Sequence, residues 1–346
     1  MPASLGLNEY RRDPFSDAWV LISTDRAARP EEFRPKRFER VPQPCPFCRG
    51  NESSTPPQIA CYPPGATDAD WQVRVVPNKF PAVVTGDYPD WRGSDESNEG
   101  DELFCGTVAY GIHDLIVESP DHVVSFTDLT PEQAQWLFVA YRDRMAALAA
   151  EGKWSYAQAF KNVGPAAGSS VEHAHSQMVT LPQAPQRVIV ELEKSAAYFR
   201  RHRRSIFSDL IEKELQFAKE APQDSRVVCE TDDFLALCPY ASRVPYETWV
   251  IPKFSGSHFD KAKDGQLAKL ARVMHDVIGR IERALGQPAY NYVIHTAPFD
   301  TPVADHYHWH IEIFPRMTTQ AGFELGAGHF INPVSPESAA LELRQA

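Results

Sequence analysis

No stretch of 18 apolar residues occurs in this chain, which removes a membrane-spanning helix from the expectations. The segment Met1–Tyr10 lacks a basic start followed by an apolar stretch, so it does not read as a signal peptide, and the cytoplasm is the expected compartment. Positive charge is not in excess either. The formal net charge is −11, which argues against a general nucleic-acid or membrane-surface binder. An anionic substrate would therefore need a local basic patch. Cysteine is sparse, six in all, and only Cys45 and Cys48 stand at motif spacing. In a reducing compartment that spacing favours metal binding over a disulfide. What is ample is apolar material: 43% of the 346 residues are hydrophobic against 23% charged, enough for two ordinary domains or one large one. Prolines number 29, and the stretches Val41–Pro46 and Pro56–Pro64 read as loops.

One pattern occurs twice. His113–Val117 is an apolar-rich strand candidate followed by Ser119-Pro120-Asp121-His122. A helical stretch opens at Thr130 as N-cap and runs from Pro131 to about Ala150. Tyr156–Lys161 reads as a strand, Gly164–Gly168 as a loop, and His173–Leu181 as another strand. The second half repeats the order with a strand at Tyr246–Pro252, then Ser255–His258, then a helix at Gly265–Leu285. That helix places Leu267, Leu270, Val273, Val277, Ile278 and Ile281 on one side. Strands at Tyr290–His295 and His306–Pro315 follow, and His308-Trp309-His310 answers His173-Ala174-His175. A duplication with its boundary near Arg200–Arg204 is the expectation.

Cys45-Pro46-Phe47-Cys48 has the spacing at which two thiolates of one tight turn hold a tetrahedral zinc. A redox pair would share that spacing, although no thioredoxin-like β–α context surrounds it. The repeat offers His122 and His173 as the two further ligands. His173 and His175 lie two apart on an expected strand, so their rings share a face, and Gln177 continues it. Asn162 and Gly168-Ser169-Ser170 bring an amide, hydroxyls and backbone N–H groups suited to phosphate oxygens. From spacing alone the histidine pair fits two readings equally: a metal site using both imidazoles, or one ligand beside one catalytic ring.

The run Phe160–Gln177, FKNVGPAAGSSVEHAHSQ, resembles the active-site segment of the galactose-1-phosphate uridylyltransferases, within the histidine-triad superfamily. Further matching blocks lie in order along the chain: Arg12-Asp13-Pro14, Trp19–Ser23, Arg26–Pro30, Cys45–Cys48 with Gly50-Asn51-Glu52, Val76–Pro81, Ser119–His122, His295–Phe299, His308–His310 and Phe323–Gly326. The resemblance implies an α+β fold of two histidine-triad-like halves, antiparallel sheets flanked by helices. Residues 1–195 would form the catalytic half with the zinc site, and 196–346 the C-terminal half. It implies His175 as a nucleophile that takes the nucleotide from a nucleotide sugar, with Gln177, Ser170 and Asn162 stabilising the transferring phosphoryl group. Arg26, Arg29, Asn78, Lys79, Gly168, Ser169, Phe323 and Glu324 would contact the substrate. A single structural zinc would be held by Cys45, Cys48, His122 and His173. A homodimer, with neither nucleic acid nor membrane as partner, completes the family pattern.

Two departures from that pattern stand out. Relatives commonly have Pro between the two histidines, where this chain has Ala174, which gives up a fixed φ. Relatives with a second metal carry a second cysteine pair where Ser205-Ile206-Phe207-Ser208 stands, and neutral hydroxyls are poor zinc ligands. A second metal is therefore not expected, although Glu312 leaves a site of His and Glu type open. The leading expectation is galactose-pathway transfer of UMP from UDP-glucose to galactose 1-phosphate. The alternative is an ADP-glucose or dinucleoside-polyphosphate phosphorylase using the same histidine. A histidine-triad hydrolase usually carries a third histidine where Gln177 stands, and a non-catalytic nucleotide sensor would have no need of His175.

Overall fold

The computed structural model of the chain describes residues 9–16, 18–22, 44–86, 109–302 and 305–346. Its strands are β1 (Glu9–Arg12), β2 (Trp19–Ile22), β3 (Ala60–Tyr62), β4 (Val73–Pro77), β5 (Ile112–Val117), β6 (Tyr156–Val163), β7 (His175–Leu181), β8 (Val227–Glu230), β9 (Phe234–Leu237), β10 (Thr248–Pro252), β11 (Tyr290–His295), β12 (His310–Pro315) and β13 (Phe330–Asn332). Its helices are α1 (Pro131–Ala150), α2 (Gln186–His202), α3 (Ile206–Glu220), α4 (Asp264–Leu285), α5 (Gly322–Ala327) and α6 (Pro336–Gln345). None of these helices is long and apolar enough to cross a membrane.

Local chemistry sets the ends of the two long helices. At α1, the Thr130 hydroxyl accepts from the Gln133 N–H at 3.2 Å and the Gln133 side chain accepts from the Thr130 N–H at 2.9 Å. Pro131 sits at the helix start, where its missing N–H breaks no helical bond. α4 ends at Gly286, which takes the left-handed conformation at φ 69° that a side chain would oppose. Leu267, Leu270, Val273, Val277, Ile278 and Ile281 are all buried, as their helical spacing predicts.

The α+β expectation holds. Ten strands form one sheet in the order β3-β4-β5-β7-β6-β11-β12-β10-β9-β8, all neighbours antiparallel. The order is a mirror image about the β6–β11 pair, and α1 and α4 occupy equivalent places on either side, so the repeat read in the sequence is a repeat in space. Residues 195 and 196 lie within α2, and the sheet runs continuously from one half to the other. A small sheet, β1-β2-β13, joins the start of the described chain to its end.

Some strands begin later than hydrophobic patterning suggests. His173 and His308 both precede their strands, which start at His175 and His310, because their neighbours bond outside the ladder. The Ala174 N–H, for instance, donates to the Val123 carbonyl at 2.6 Å. Likewise Tyr246, at φ 59°, lies before β10. Within the proline-rich stretch 56–64, read as loop, Ala60–Tyr62 pairs with Val73–Val75 as β3.

α1 and α4 pack on one face of the sheet and share its largest core, with Phe138, Tyr141, Met145, Met274, Val277 and Tyr292 among its members. Across the second half, α3 covers the other face through Ile206, Phe207 and Ile211 against Leu235, Leu237, Trp249 and Ile251. In the first half a smaller cluster lies there, with Phe47, Trp71 and Val117 at its centre and Cys45, Leu115 and Val171 against it. That face carries the candidate site.

Candidate active site and metal centre

Cys45, Cys48, His122 and His173 converge, with one ligand atom from each within 4.8 Å of all the others. The turn around Pro46 brings the thiols together, Cys48 N–H reaching the Cys45 carbonyl at 3.4 Å. His173 Nδ1 lies 3.5 Å from Cys45 Sγ and 3.6 Å from Cys48 Sγ, and His122 Nδ1 lies 3.5 Å from Cys48 Sγ. Zinc–sulfur bonds of about 2.3 Å and zinc–nitrogen bonds of about 2.0 Å at a tetrahedral angle place S and N about 3.5 Å apart, so the cluster fits zinc. The other ring nitrogen of His173, Nε2, donates to the Ser119 carbonyl at 2.9 Å, leaving Nδ1 as the lone pair facing the sulfurs. Burial holds the His173 pKa down to about 4, keeping that lone pair free of a proton. Burial, and then the Cys45 sulfur beside it, pushes the Cys48 thiol up to about 11.

His175 is buried against Phe47, their ring centres 5.3 Å apart. Its Nδ1 lies 2.7 Å from the His173 carbonyl, which can only accept, so Nδ1 carries the proton and Nε2 keeps its lone pair. Burial lowers its pKa, so the ring is neutral at pH 7. Such a nitrogen can attack an electrophile without first losing a proton. The rigidity lost with the missing proline is replaced: Ala174 N–H donates to Val123 O at 2.6 Å, a bond proline could not make, and Ala174 O accepts from Glu118 N–H at 3.1 Å.

Behind the strand, on the helix side, the Tyr141 hydroxyl donates to Ser176 Oγ at 2.6 Å, which fixes His175 and Gln177 on the opposite face. On the helix side Lys161 also pairs with Glu118, both fully buried, and Glu118 Oε1 has no hydrogen-bond partner among the described residues. Sequence patterning gave no sign of this ion pair or of His113. The His113 ring stands beside Gln177 with Nε2 to Oε1 at 2.8 Å, and its Nδ1 accepts from the Ala82 N–H at 3.1 Å. Only strand register reveals the meeting: Leu115 lies opposite Gln177, so His113 is its diagonal neighbour.

Of the other expected site residues, Asn78 lies beside His113, its Nδ2 3.1 Å from His113 Nε2, and Lys79 is exposed next to it. Asn162 Oδ1 accepts from Asn291 Nδ2 at 2.6 Å across the β6–β11 seam. Gly168 adopts φ 86°, a left-handed conformation that closes the loop before the histidines. Ser169 Oγ is engaged with the Val171 carbonyl at 2.8 Å, while Ser170 is exposed. Phe323 and Glu324 are not beside His175's strand but line a cavity of about 380 Å³ together with Ala166, Arg243 and Arg316. Arg316 bonds Asn291, which links that cavity to Asn162. Arg26 and Arg29 lie outside the described residues.

In the second half the serines do something else. Ser205 caps α3, accepting from Phe207 N–H at 3.2 Å, and Phe207 stacks flat on His308 with ring centres 5.3 Å apart. A different buried group comes within metal-ligand range: Glu191, His295, His310 and Glu312. Here Glu312 is held by Arg187 at 2.6 Å and by Arg243 at 2.9 Å, and His295 bonds Glu191 at 2.9 Å. Burial alone would depress His295, but Glu191 and Glu312 carry it up to about 9, so it is a cation at pH 7. Three cations (Arg187, Arg243, His295) thus face three carboxylates (Glu191, Glu312 and Glu247, which Arg243 holds at 2.5 Å), while buried His310 Nε2 has no hydrogen-bond partner among the described residues.

Residues 4–185 match the family model described as galactose-1-phosphate uridyl transferase, N-terminal domain, and residues 191–326 match its C-terminal domain. An ADP-glucose phosphorylase of Arabidopsis thaliana is 32% identical over 97% of this chain and 92% of its own length. A galactose-1-phosphate uridylyltransferase of Thermotoga maritima is 25% identical over 97% of this chain and 98% of its own. The crystal structure of an Arabidopsis thaliana ADP-glucose phosphorylase with bound ADP-glucose superposes with a TM-score of 0.81 at 31% identity, covering 98% of this chain and 99% of that one.

Proposed function

The chain belongs to the galactose-1-phosphate uridylyltransferase family, whose members are nucleotidyltransferases, and from that premise we propose that His175 is its nucleophile. The observation that carries the reading is the His175 ring itself: neutral, with Nδ1–H tied to the His173 carbonyl and the Nε2 lone pair left over. Nε2 attacks the α-phosphorus of a nucleoside-diphosphate sugar, the bond from that phosphorus to the bridging oxygen breaks, and the sugar 1-phosphate leaves. The nucleoside monophosphate stays on Nε2 as a phosphoramidate until an oxygen of a second phosphate attacks the same phosphorus and the P–N bond breaks. Gln177 and Asn162 offer amide donors to the phosphoryl oxygens, and Ser170 a hydroxyl. Cys45, Cys48, His122 and His173 would hold a zinc whose contribution would be structural, tying the turn to His173, whose backbone carbonyl orients His175. In this reading residues 1–195 carry the reaction, and residues 196–346 contribute Asn291 behind Asn162 and the wall of the cavity at Phe323 and Glu324.

For the substrate we place ADP-glucose with inorganic phosphate as acceptor ahead of UDP-glucose with galactose 1-phosphate. Support comes from the 32% identity to a relative named ADP-glucose phosphorylase, against 25% to one named galactose-1-phosphate uridylyltransferase. The test is intact-protein mass spectrometry after mixing with ADP-glucose or UDP-glucose and no acceptor. The expected outcome is gain of one AMP, labile in acid, by the wild type and none by His175→Gly. A UMP adduct alone would return the substrate to the uridylyl reading, and an adduct persisting in His175→Gly would end the nucleophile assignment.

A further inference from the structure

We propose that His113 is the positioning residue that sets the orientation of the Gln177 amide. The inference rests on the reading of His175 as nucleophile and of Gln177 as donor to the transferring phosphoryl group. The ring's protonation pattern follows from its neighbours. Nδ1 faces the Ala82 backbone N–H at 3.1 Å, and a backbone N–H can only donate, so Nδ1 is the bare nitrogen. The proton of the neutral ring is then on Nε2, which lies 2.8 Å from Gln177 Oε1 and donates to it. A side-chain amide has one acceptor end and one donor end, so pinning Oε1 on His113 turns the Gln177 NH₂ away from that ring. Gln177 shares its strand face with His175, two residues back, so the NH₂ is what the amide presents beside the nucleophile. The flipped amide would set its NH₂ against the Nε2–H, donor against donor.

The segment around His113 is built to hold the ring still. Asn78 N–H donates to the His113 carbonyl at 2.8 Å, and Asn78 Oδ1 accepts from the Phe80 N–H at 2.9 Å. That second bond leaves the Asn78 NH₂ facing His113 Nε2 at 3.1 Å, and a nitrogen that already carries a proton cannot accept from it. Asn78 therefore has hydrogens to give an incoming acceptor, like Gln177. His113 thus joins the segment 78–82, which contains Asn78 and Lys79, to the strand of the nucleophile.

The two ring nitrogens can be separated by substitution. His113→Gln keeps a donor near the place of Nε2 and gives up the acceptor for Ala82; His113→Asn keeps an acceptor near Nδ1 and gives up the donor to Gln177. The rate of adduct formation on His175 is read in single turnover at saturating nucleotide sugar, using whichever of ADP-glucose and UDP-glucose labels the wild type. His113→Asn should slow that step about tenfold, as expected for loss of one orienting hydrogen bond, while His113→Gln stays near the wild-type rate. Gln177→Ala should slow it about a hundredfold, the scale of one lost phosphoryl-stabilising donor. The double variant His113→Asn with Gln177→Ala should be no slower than Gln177→Ala alone, because His113 acts through Gln177. Melting temperature and zinc content, measured on each variant, should stay near wild type. If His113→Gln is the slow variant, or if the two losses multiply, His113 serves the 78–82 segment and the proposal is overturned. A wild type that takes up no nucleotide removes the nucleophile reading itself, whereas a labelled wild type with an unaffected His113→Asn removes this inference alone.

Discussion

Replacing Lys161 by Met would leave the Glu118 carboxylate in the core without its cation. Neither side chain has any exposure, and the carboxylate's second oxygen has no hydrogen-bond partner among the described residues, so nothing at hand replaces the lost charge. Breaking a buried pair from one side costs about 3–5 kcal/mol, a large share of the ~5–15 kcal/mol that holds a folded domain together. Removing both partners is a different perturbation. Lys161→Met with Glu118→Leu puts apolar groups of similar volume into the same space and takes away the desolvation penalty, so its stability should fall within about 1–2 kcal/mol of wild type. Urea unfolding at equal zinc concentration reads both numbers as shifts in midpoint at constant slope. The single variant should also lose zinc more readily, because Glu118 and its neighbour Ser119 clamp the histidine segment through Glu118 N–H to Ala174 O and His173 Nε2–H to Ser119 O. A single variant within 1 kcal/mol of wild type, or a double variant as unstable as the single one, would refute this account of the pair.

Purified without chelator, the protein should contain one zinc per chain by elemental analysis, and Cys45→Ser should lose it and unfold more easily than it loses the chemical step. Because the Cys48 thiol is raised to about 11 without metal, zinc uptake at pH 7 should release its proton, which a pH indicator in weak buffer would register and whose absence would count against thiolate ligation. His295 stands at about 9 in the fold against 6.5 for a free ring. A raised cation pKa stabilises fully below 6.5 and loses that contribution as pH climbs to about 9, so the stability lost over that window should be on the order of 3 kcal/mol. Urea midpoints for wild type and His295→Gln check this: the wild-type curve should fall across the window and the variant's should stay flat. A homodimer is expected from family analogy, and sedimentation at micromolar concentration should find two chains per particle; a fully active monomer would dispose of it.

What the sequence made legible was whatever is local or repeated. Thr130 announces the start of α1 because an N-cap involves only groups within the next three positions, and the six apolar positions of α4 give its buried face for the same local reason. Cys45, Cys48, His122 and His173 do meet, the first two by tight-turn spacing and the others by their place in the repeat. His113 and the Lys161–Glu118 pair were not legible. Their partners lie 64 and 43 residues away, and only the register of β5, β6 and β7 makes them neighbours. The Ser205–Ser208 segment shows the limit from the other side: its lack of thiols was plain, but not that Phe207 would stack on His308, nor that Glu191 and Glu312 would gather cations nearby.

β6 and β11 are each the outermost strand of their own half, and their pairing turns two edges into an interior seam. Among the described residues the strands left at the rim are β3 and β8, three and four residues long. Such short strands offer a passing chain few free N–H and C=O groups to pair with, one of the ways in which sheets avoid sticking to each other. β6, in contrast, is eight residues long, and from Ala157 onward every second position is buried. Cut the chain after residue 195 and that strand becomes a free edge of the fragment, a ready template for another copy. The joining of the halves is therefore also a defence against self-association, and a fragment ending there should precipitate or pair edge to edge in conditions where the whole chain stays dispersed.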